Sequence, residues 1–291
     1  MKQETSPHPP FRVPSSEFRI RNVPHSAFRN WGSTSNPPLL LLHGFMGCAE
    51  DWDTTARYLQ SDFLCIAPSF PGHGKSPFDP EAHGTFEGYA NSVIALLDEL
   101  GHESVSALGY SMGGRILLSL ALRYPERFSR VILESASPGI ADTRARAARR
   151  KSDQKLAARL QQEDPDALYD WWYSQALFGG LKQSTAYPAL LQRRLQNDPH
   201  GIALALSACG TGQQHPYWKP LATLKPDTLL IYGEHDQTYK EVTAQMRSAN
   251  RAFQTGAIAG CSHAAHVEDP KQFVEQCRSF LLHRPSREEQ A

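Results

Sequence analysis

The sequence predicts an α/β architecture, a mostly parallel, doubly wound sheet carrying a helical insertion, and three observations lead to it. Short apolar runs alternate with longer amphipathic stretches along most of the chain. The apolar runs are unbroken and rich in Leu, Ile and Val, as strands covered on both faces must be. One long segment, from about Gly139 to Leu224, breaks the alternation with Ala, Arg, Gln and Trp at helical spacing.

Pro38–Leu42, Phe63–Ala67, Val105–Leu108, Val131–Leu133 and Thr228–Tyr232 read as buried strands, with a further strand-like stretch at Ala252–Ala259. Helical periodicity runs through Trp52–Leu59, Tyr89–Leu100, Ile116–Tyr124 and Lys271–Leu282. A length of 291 residues suits one layered core plus an insertion. The expected organisation is a loose, Pro-rich tail over 1–16, a core made of 17–138 and 225–291, and a helical insertion over 139–224. An insertion between two core strands is well placed to form a lid, because loops at the carboxyl ends of the strands carry function in such sheets.

Lys+Arg and Asp+Glu both total 30. This balance argues against a protein that holds nucleic acid or an anionic membrane by its overall field, so an anionic ligand must be caught locally. Cys48, Cys65, Cys209, Cys261 and Cys277 form no C-x-x-C pair and no metal-like spacing, and read as reduced structural thiols. The first residues lack the apolar run of a secretory signal and no stretch is long enough to span a bilayer, so the expectation is a cytoplasmic protein without a membrane partner. A monomer or weak homo-oligomer is expected.

Val105 to Gly114 passes from a strand through Gly109-Tyr110-Ser111-Met112-Gly113 into a helix. This is G-x-S-x-G in the setting a nucleophile elbow requires, and it narrows the architecture to the α/β-hydrolase fold. The turn is tight enough that the residues two before and two after the serine must be very small, as Gly109 and Gly113 are. Ser111 is then exposed at a helix N-terminus, beside unpaired N–H groups.

A serine nucleophile needs a base, and the base needs an acid to fix its tautomer. In this fold the chain order is Ser, Asp, His. Asp236 follows the strand that ends near Gly233, and His263 follows the last strand-like stretch, so Ser111, Asp236 and His263 are the expected triad. Glu234 and His235 adjoin Asp236, and His266 lies near His263; spacing alone does not exclude them. The oxyanion hole is expected from the N–H of Met112 and that of Phe45, in the loop His43-Gly44-Phe45-Met46-Gly47. His43 is read as a prop for that loop, and the Gly-rich turn Phe70 to Ser76 as structural.

Arg115, one helical turn beyond Ser111, should face the pocket, where a cation is hard to justify without an anion to meet it. Arg144, Arg146, Arg149, Arg150 and Lys151 form a basic run in the insertion, and Arg193 and Arg194 a second patch. A solvated face and a carboxylate clamp both remain open for these.

The strings LLHGFMGCAEDWD, YSMGGRILLSLALRYPERF, ESASPGI, WWYSQALF, GTGQQ and HAAHVEDP together resemble the 2-succinyl-6-hydroxy-2,4-cyclohexadiene-1-carboxylate synthases of menaquinone and phylloquinone biosynthesis, over nearly all of the chain after about Glu17. The arginine after S-x-G-G, the W-Y-x-Q motif and G-T-G-x-Q are its most specific parts. The resemblance implies a cofactor-free lyase, without a metal, that eliminates pyruvate from an enolpyruvyl carboxylate precursor. It also implies that Arg115, Arg149, Trp172 and Arg194 contact this small carboxylate substrate, with Tyr110 bordering the pocket. Ser69 departs from the family, which commonly has Asp before the x-P-G-H-G turn. A true hydrolase, an esterase or a carbon–carbon bond hydrolase acting on a small anionic substrate, would carry the same triad; a ligand-binding receptor on the same fold is a more distant alternative.

Overall fold

The computed structural model describes residues 27–283. The expected tail, 1–16, and the first ten residues assigned to the core lie outside the described residues. The seven strands are β1 (Phe28–Trp31), β2 (Pro38–Leu42), β3 (Leu64–Pro68), β4 (Val105–Tyr110), β5 (Phe128–Glu134), β6 (Asp227–Gly233) and β7 (Gln254–Ile258). They form one sheet in the order β1-β3-β2-β4-β5-β6-β7. Only β1 is antiparallel to its neighbour, pairing Phe28 with Pro68 and Trp31 with Cys65.

The helices are α1 (Asp53–Leu59), α2 (Pro80–His83), α3 (Phe86–Glu99), α4 (Met112–Arg123), α5 (Thr143–Gln162), α6 (Pro165–Tyr173), α7 (Tyr187–Leu195), α8 (Pro199–Cys209), α9 (Gln237–Ala249), α10 (Ala265–Glu268) and α11 (Pro270–Leu282). Four of them, α2, α6, α8 and α11, begin with Asp-Pro. In each the Asp side chain accepts a backbone N–H of the first turn, while Pro fills a position whose own N–H would have no partner.

Alternation along β2 distributes its leucines between two cores. Leu40 and Leu42 pack with α3, α4 and Met246 of α9. Leu39 and Leu41 face the other way, against Trp52, α1 and the Phe273, Val274, Cys277 and Phe280 face of α11. Burying each such side chain is worth about 1.5–3 kcal/mol, so both faces of the sheet must stay covered.

Between β5 and β6 lie α5 to α8 and no strand. Their apolar side chains, among them Leu160, Tyr169, Tyr173, Phe178, Leu190 and Leu206, form a third cluster that closes over Met46 and Ala264 of the core. The two stems of this insertion are bonded to each other. Tyr217 N–H donates to Pro138 O (2.7 Å), Trp218 Nε1–H to Gly139 O (2.8 Å) and Gln214 Nε2–H to Ser137 O (3.1 Å).

Among the strands, β1 and β5 differ most from the sequence reading, and α9 is a helix that reading does not place. β1, Phe-Arg-Asn-Trp, is a largely exposed edge strand held by backbone pairing to β3, so it has no apolar periodicity to announce it. β5 begins at Phe128, three residues earlier than its apolar run, because Phe128 and Arg130 pair with Val105 and Ser106 across a register shift that skips the exposed Ser129, while the Arg130 side chain donates to Phe280 O of α11.

Candidate active site

At the end of β4 the chain turns so sharply that Ser111 adopts φ 50°, ψ −108°, in the left-handed half of the map that costs a non-glycine residue energy. Its N–H donates to Glu134 O (2.8 Å), which pins the turn to the end of β5. A Cβ at position 113 would stand 2.3 Å from Leu42 O, so only glycine lets α4 start this close to β2. The serine hydroxyl is thereby lifted over the carboxyl edge of the sheet.

Asp236 caps α9, with Oδ1 accepting from Tyr239 N–H (3.1 Å). Its Oδ2 accepts from Ser135 Oγ–H (3.2 Å) and from His263 Nδ1 (2.7 Å). Holding the proton on Nδ1 leaves Nε2 as acceptor, and Nε2 lies 3.0 Å from Ser111 Oγ. Asp236 and His263 are both buried, so water does not compete for the bond between them. The neighbouring candidates turn elsewhere. Glu234 accepts from Gly260 N–H at the surface, His235 is exposed, and His266 pairs with the buried Glu134 carboxylate at 2.9 Å.

Phe45 and Met112 border the same pocket. Neither of their N–H groups has a hydrogen-bond partner among the described residues, and that of Met112 belongs to the first turn of α4. The Phe45 loop is held from below by His43, whose Nδ1–H donates to Gly44 O (2.7 Å) and whose Nε2 accepts from Phe70 N–H (2.9 Å). Burial pushes the His43 pKa down to about 4, which keeps the ring neutral and Nε2 able to accept.

The pocket is roofed by the insertion. Phe178 meets His263 edge-on at 5.8 Å, Trp172 meets Phe45 at 5.8 Å, and Tyr110 and Tyr239 flank His263 at 5.3 and 4.8 Å. Arg115, Arg149 and Arg194 all reach the lining, and their surroundings differ. Arg194 is buried against Asp51 (2.7 Å) and donates to the Tyr173 hydroxyl (2.8 Å). Arg149, half exposed, pairs with Asp153 at 2.7 Å. Arg115 is only 6% exposed, yet it meets neutral acceptors, Cys209 O at 3.0 Å and Gln214 Oε1 at 3.3 Å. No carboxylate among the described residues pairs with it. Of the rest of the basic run, Arg146 and Arg150 are spent on backbone carbonyls, and Arg144 and Lys151 are exposed.

Residues 37–270 match the family model described as the alpha/beta hydrolase fold. The chain is 31% identical to the 2-succinyl-6-hydroxy-2,4-cyclohexadiene-1-carboxylate synthase of Pectobacterium atrosepticum, over 85% of this chain and 94% of that one. The chain belongs to this synthase family. It is also 29% identical to Protein PHYLLO, chloroplastic, of Arabidopsis thaliana, but spans only 15% of that protein's length. Among solved structures it resembles MenH from S. aureus, with a TM-score of 0.83 and 28% identity over 92% of this chain and all of that one.

Ser69, expected from the resemblance to be a departure, has a local role: its Oγ accepts from Ala49 N–H (3.0 Å) and ties the turn before Pro71 to the loop after β2. Further residues line or support this site. Of these only Tyr239 has a local signal, as the third helical residue after a capping Asp. Ser135 has φ 46°, and nothing local announces that it would face Asp236. Phe178 and Asn197 come from turns of the insertion whose placement depends on the tertiary fold.

Proposed function

We propose that the protein eliminates pyruvate from 2-succinyl-5-enolpyruvyl-6-hydroxy-3-cyclohexene-1-carboxylate, forming 2-succinyl-6-hydroxy-2,4-cyclohexadiene-1-carboxylate, a step of menaquinone and phylloquinone biosynthesis. Ser111, with His263 as proton acceptor and Asp236 behind it, removes the ring proton beside the succinyl ketone. The ketone oxygen becomes an enolate oxygen, met by the N–H groups of Phe45 and Met112. The electron pair then moves through the ring double bond and expels the enolpyruvyl group. The proton held by the Ser111–His263 pair returns to that group, which leaves as pyruvate, so the balance closes without water. Arg115, Arg149 and Arg194 receive the carboxylates, Trp172 and Tyr110 the ring.

The observation that carries this reading is the unneutralised Arg115 beside a continuous Asp236–His263–Ser111 hydrogen-bonded line. A buried guanidinium without a counter-charge is costly, and an incoming carboxylate removes the cost. The test is to supply the enolpyruvyl precursor and follow pyruvate release by wild type and Arg115→Ala. Release by wild type, strongly reduced in the variant, supports the reading; silence from wild type removes it. Running the reaction in ¹⁸O-labelled water separates elimination from hydrolysis, because only hydrolysis puts label into a non-exchanging position such as a new ring hydroxyl, whereas the ketone oxygens exchange with water in either case.

A further inference from the structure

The loop that carries Phe45 contains an expensive conformation: the next residue, Met46, is fully buried with φ 63°. The direction of the Phe45 N–H depends on the backbone around this left-handed residue. One turn bond, Gly47 N–H to Gly44 O (3.0 Å), closes the loop from within. From outside, the Met46 carbonyl accepts from Asn197 Nδ2–H at 2.8 Å.

Asn197 is 7% exposed and lies at the junction of α7 and α8, so it belongs to the insertion and not to the sheet. Its Oδ1 accepts from Gly74 N–H at 2.8 Å, which joins the Phe45 loop to the Gly-rich turn after β3 through one amide. Both halves of that amide are used, the donor on Met46 and the acceptor on Gly74. The preceding turn of α7 secures the far end of the same loop. Arg193 and Arg194 both bind Asp51, whose Oδ2 accepts from Cys48 N–H (3.2 Å). The end of α7 thus grips the loop at Met46 and again at Asp51.

We propose that Asn197 is a positioning residue for the enolate cradle, holding Met46 in its left-handed conformation so that the Phe45 N–H is aimed before substrate arrives. The insertion then completes the site as well as covering it: with α7 seated the cradle is formed, and without that contact it relaxes. This rests on the reading of Phe45 N–H as an enolate donor given above.

The test compares wild type, Asn197→Asp, Asn197→Ala and a control, Asp198→Ala. Aspartate keeps the acceptor for Gly74 N–H but sets an oxygen against Met46 O. Asp198 caps α8 one residue away without touching the loop. With the enolpyruvyl precursor, Asn197→Asp is expected to lower kcat by about 100-fold, the order seen on losing one oxyanion donor, and to leave KM within about threefold. Asp198→Ala is expected to lower Tm while keeping kcat within about twofold, since a lost cap weakens a helix and not the chemistry. A crystal structure of Asn197→Asp should show Met46 out of the left-handed region. If Asn197→Asp is recovered unfolded, Asn197→Ala, which lacks the opposed oxygens, carries the same readouts. An unchanged Met46 conformation, or a kcat loss in the Asn197 variants no larger than in Asp198→Ala, overturns the proposal. If wild type releases no pyruvate, the enolate reading falls and the cradle's role with it, whereas an unchanged Met46 in the Asn197→Asp crystal structure overturns the positioning role alone, so the two failures are distinguishable.

Discussion

Phe178 of the insertion stands edge-on to His263 with ring centres 5.8 Å apart, so the proposed base is walled by a side chain from another layer of the molecule. The same turn also reaches the loop of His263, because Ser262 Oγ lies 2.9 Å from Phe178 O and 2.6 Å from Glu268 Oε1, which share its one hydrogen. Truncating the ring opens a gap beside the imidazole that water can enter. Phe178→Ala is expected to lower kcat about tenfold or more, since side chains bordering a reacting group exclude water and fix its rotamer. Single-turnover pyruvate release measures this directly, and an unaltered rate would detach the insertion from the chemistry.

The triad and its neighbours make a sharper contrast. Ser111→Ala and His263→Ala should each reduce pyruvate release by about 10³-fold or more, because members of a catalytic unit fail together. Glu234→Ala, which loses only a surface bond to Gly260 N–H, should stay within about twofold of wild type. Steady-state kinetics on the three variants checks that Glu234 stands outside the triad.

Arg115→Met keeps the unbranched stem of the side chain and removes the guanidinium and its charge. Because the guanidinium meets only neutral groups in the free protein, its charge is available to a ligand. A charge-assisted hydrogen bond is worth about 1.5–3 kcal/mol, so KM should rise by roughly 10- to 100-fold. Titration of the product carboxylate by calorimetry should show the same loss in Kd.

Asp51→Asn acts on stability. It leaves Arg194, buried at the end of α7, without the carboxylate it binds at 2.7 Å. Breaking one side of such a pair costs about 3–5 kcal/mol, which in a chain of this size lowers Tm by roughly 10 °C. Differential scanning calorimetry measures the shift, and a change of a degree or less would mean that the pair contributes little.

Acid should weaken the fold in two stages. Burial lowers the His43 pKa from its ordinary 6.5 to about 4, and it lowers those of His73 and His83 as well. Between these values the unfolded chain binds protons that the folded one refuses, so stability falls as the pH drops from about 6.5 to about 4, by about 3 kcal/mol for His43 alone. Below that window Asp51 takes over. The guanidiniums of Arg194 and Arg193 outweigh the desolvation that opposes them and hold its carboxyl well below the usual range, so the stability it adds is present above its unfolded pKa and is lost as the pH falls further. Tm measured from pH 8 to pH 3 should decline in both intervals, and His43→Gln should flatten the first.

Much of this was legible because the elbow and its partners depend on local constraints. Gly109 and Gly113 must flank a serine in so tight a turn, Asp236 follows a strand that reads as an apolar run, and His263 follows the last strand-like stretch. The parts that were not legible depend on distant atoms. β1 exists because β3 offers it an unpaired edge, and its own four residues carry no pattern. Of the arginines, chain position could not tell Arg194, neutralised by an aspartate 143 residues away, from Arg115, left with amides and a carbonyl. The roles of Ser135 and Asn197 likewise appear only once β5, α9 and the end of α7 have come together.

The bonded stems of the insertion, Ser137 to Gly139 against Gln214 to Trp218, bring the start and end of a long excursion to one place. Such a closed base makes the segment a cassette: a relative's version with similarly bonded ends can be grafted without re-registering the sheet. Selectivity for different acids can therefore diverge by exchange of the roof, provided that the transplant still supplies an amide where Asn197 stands.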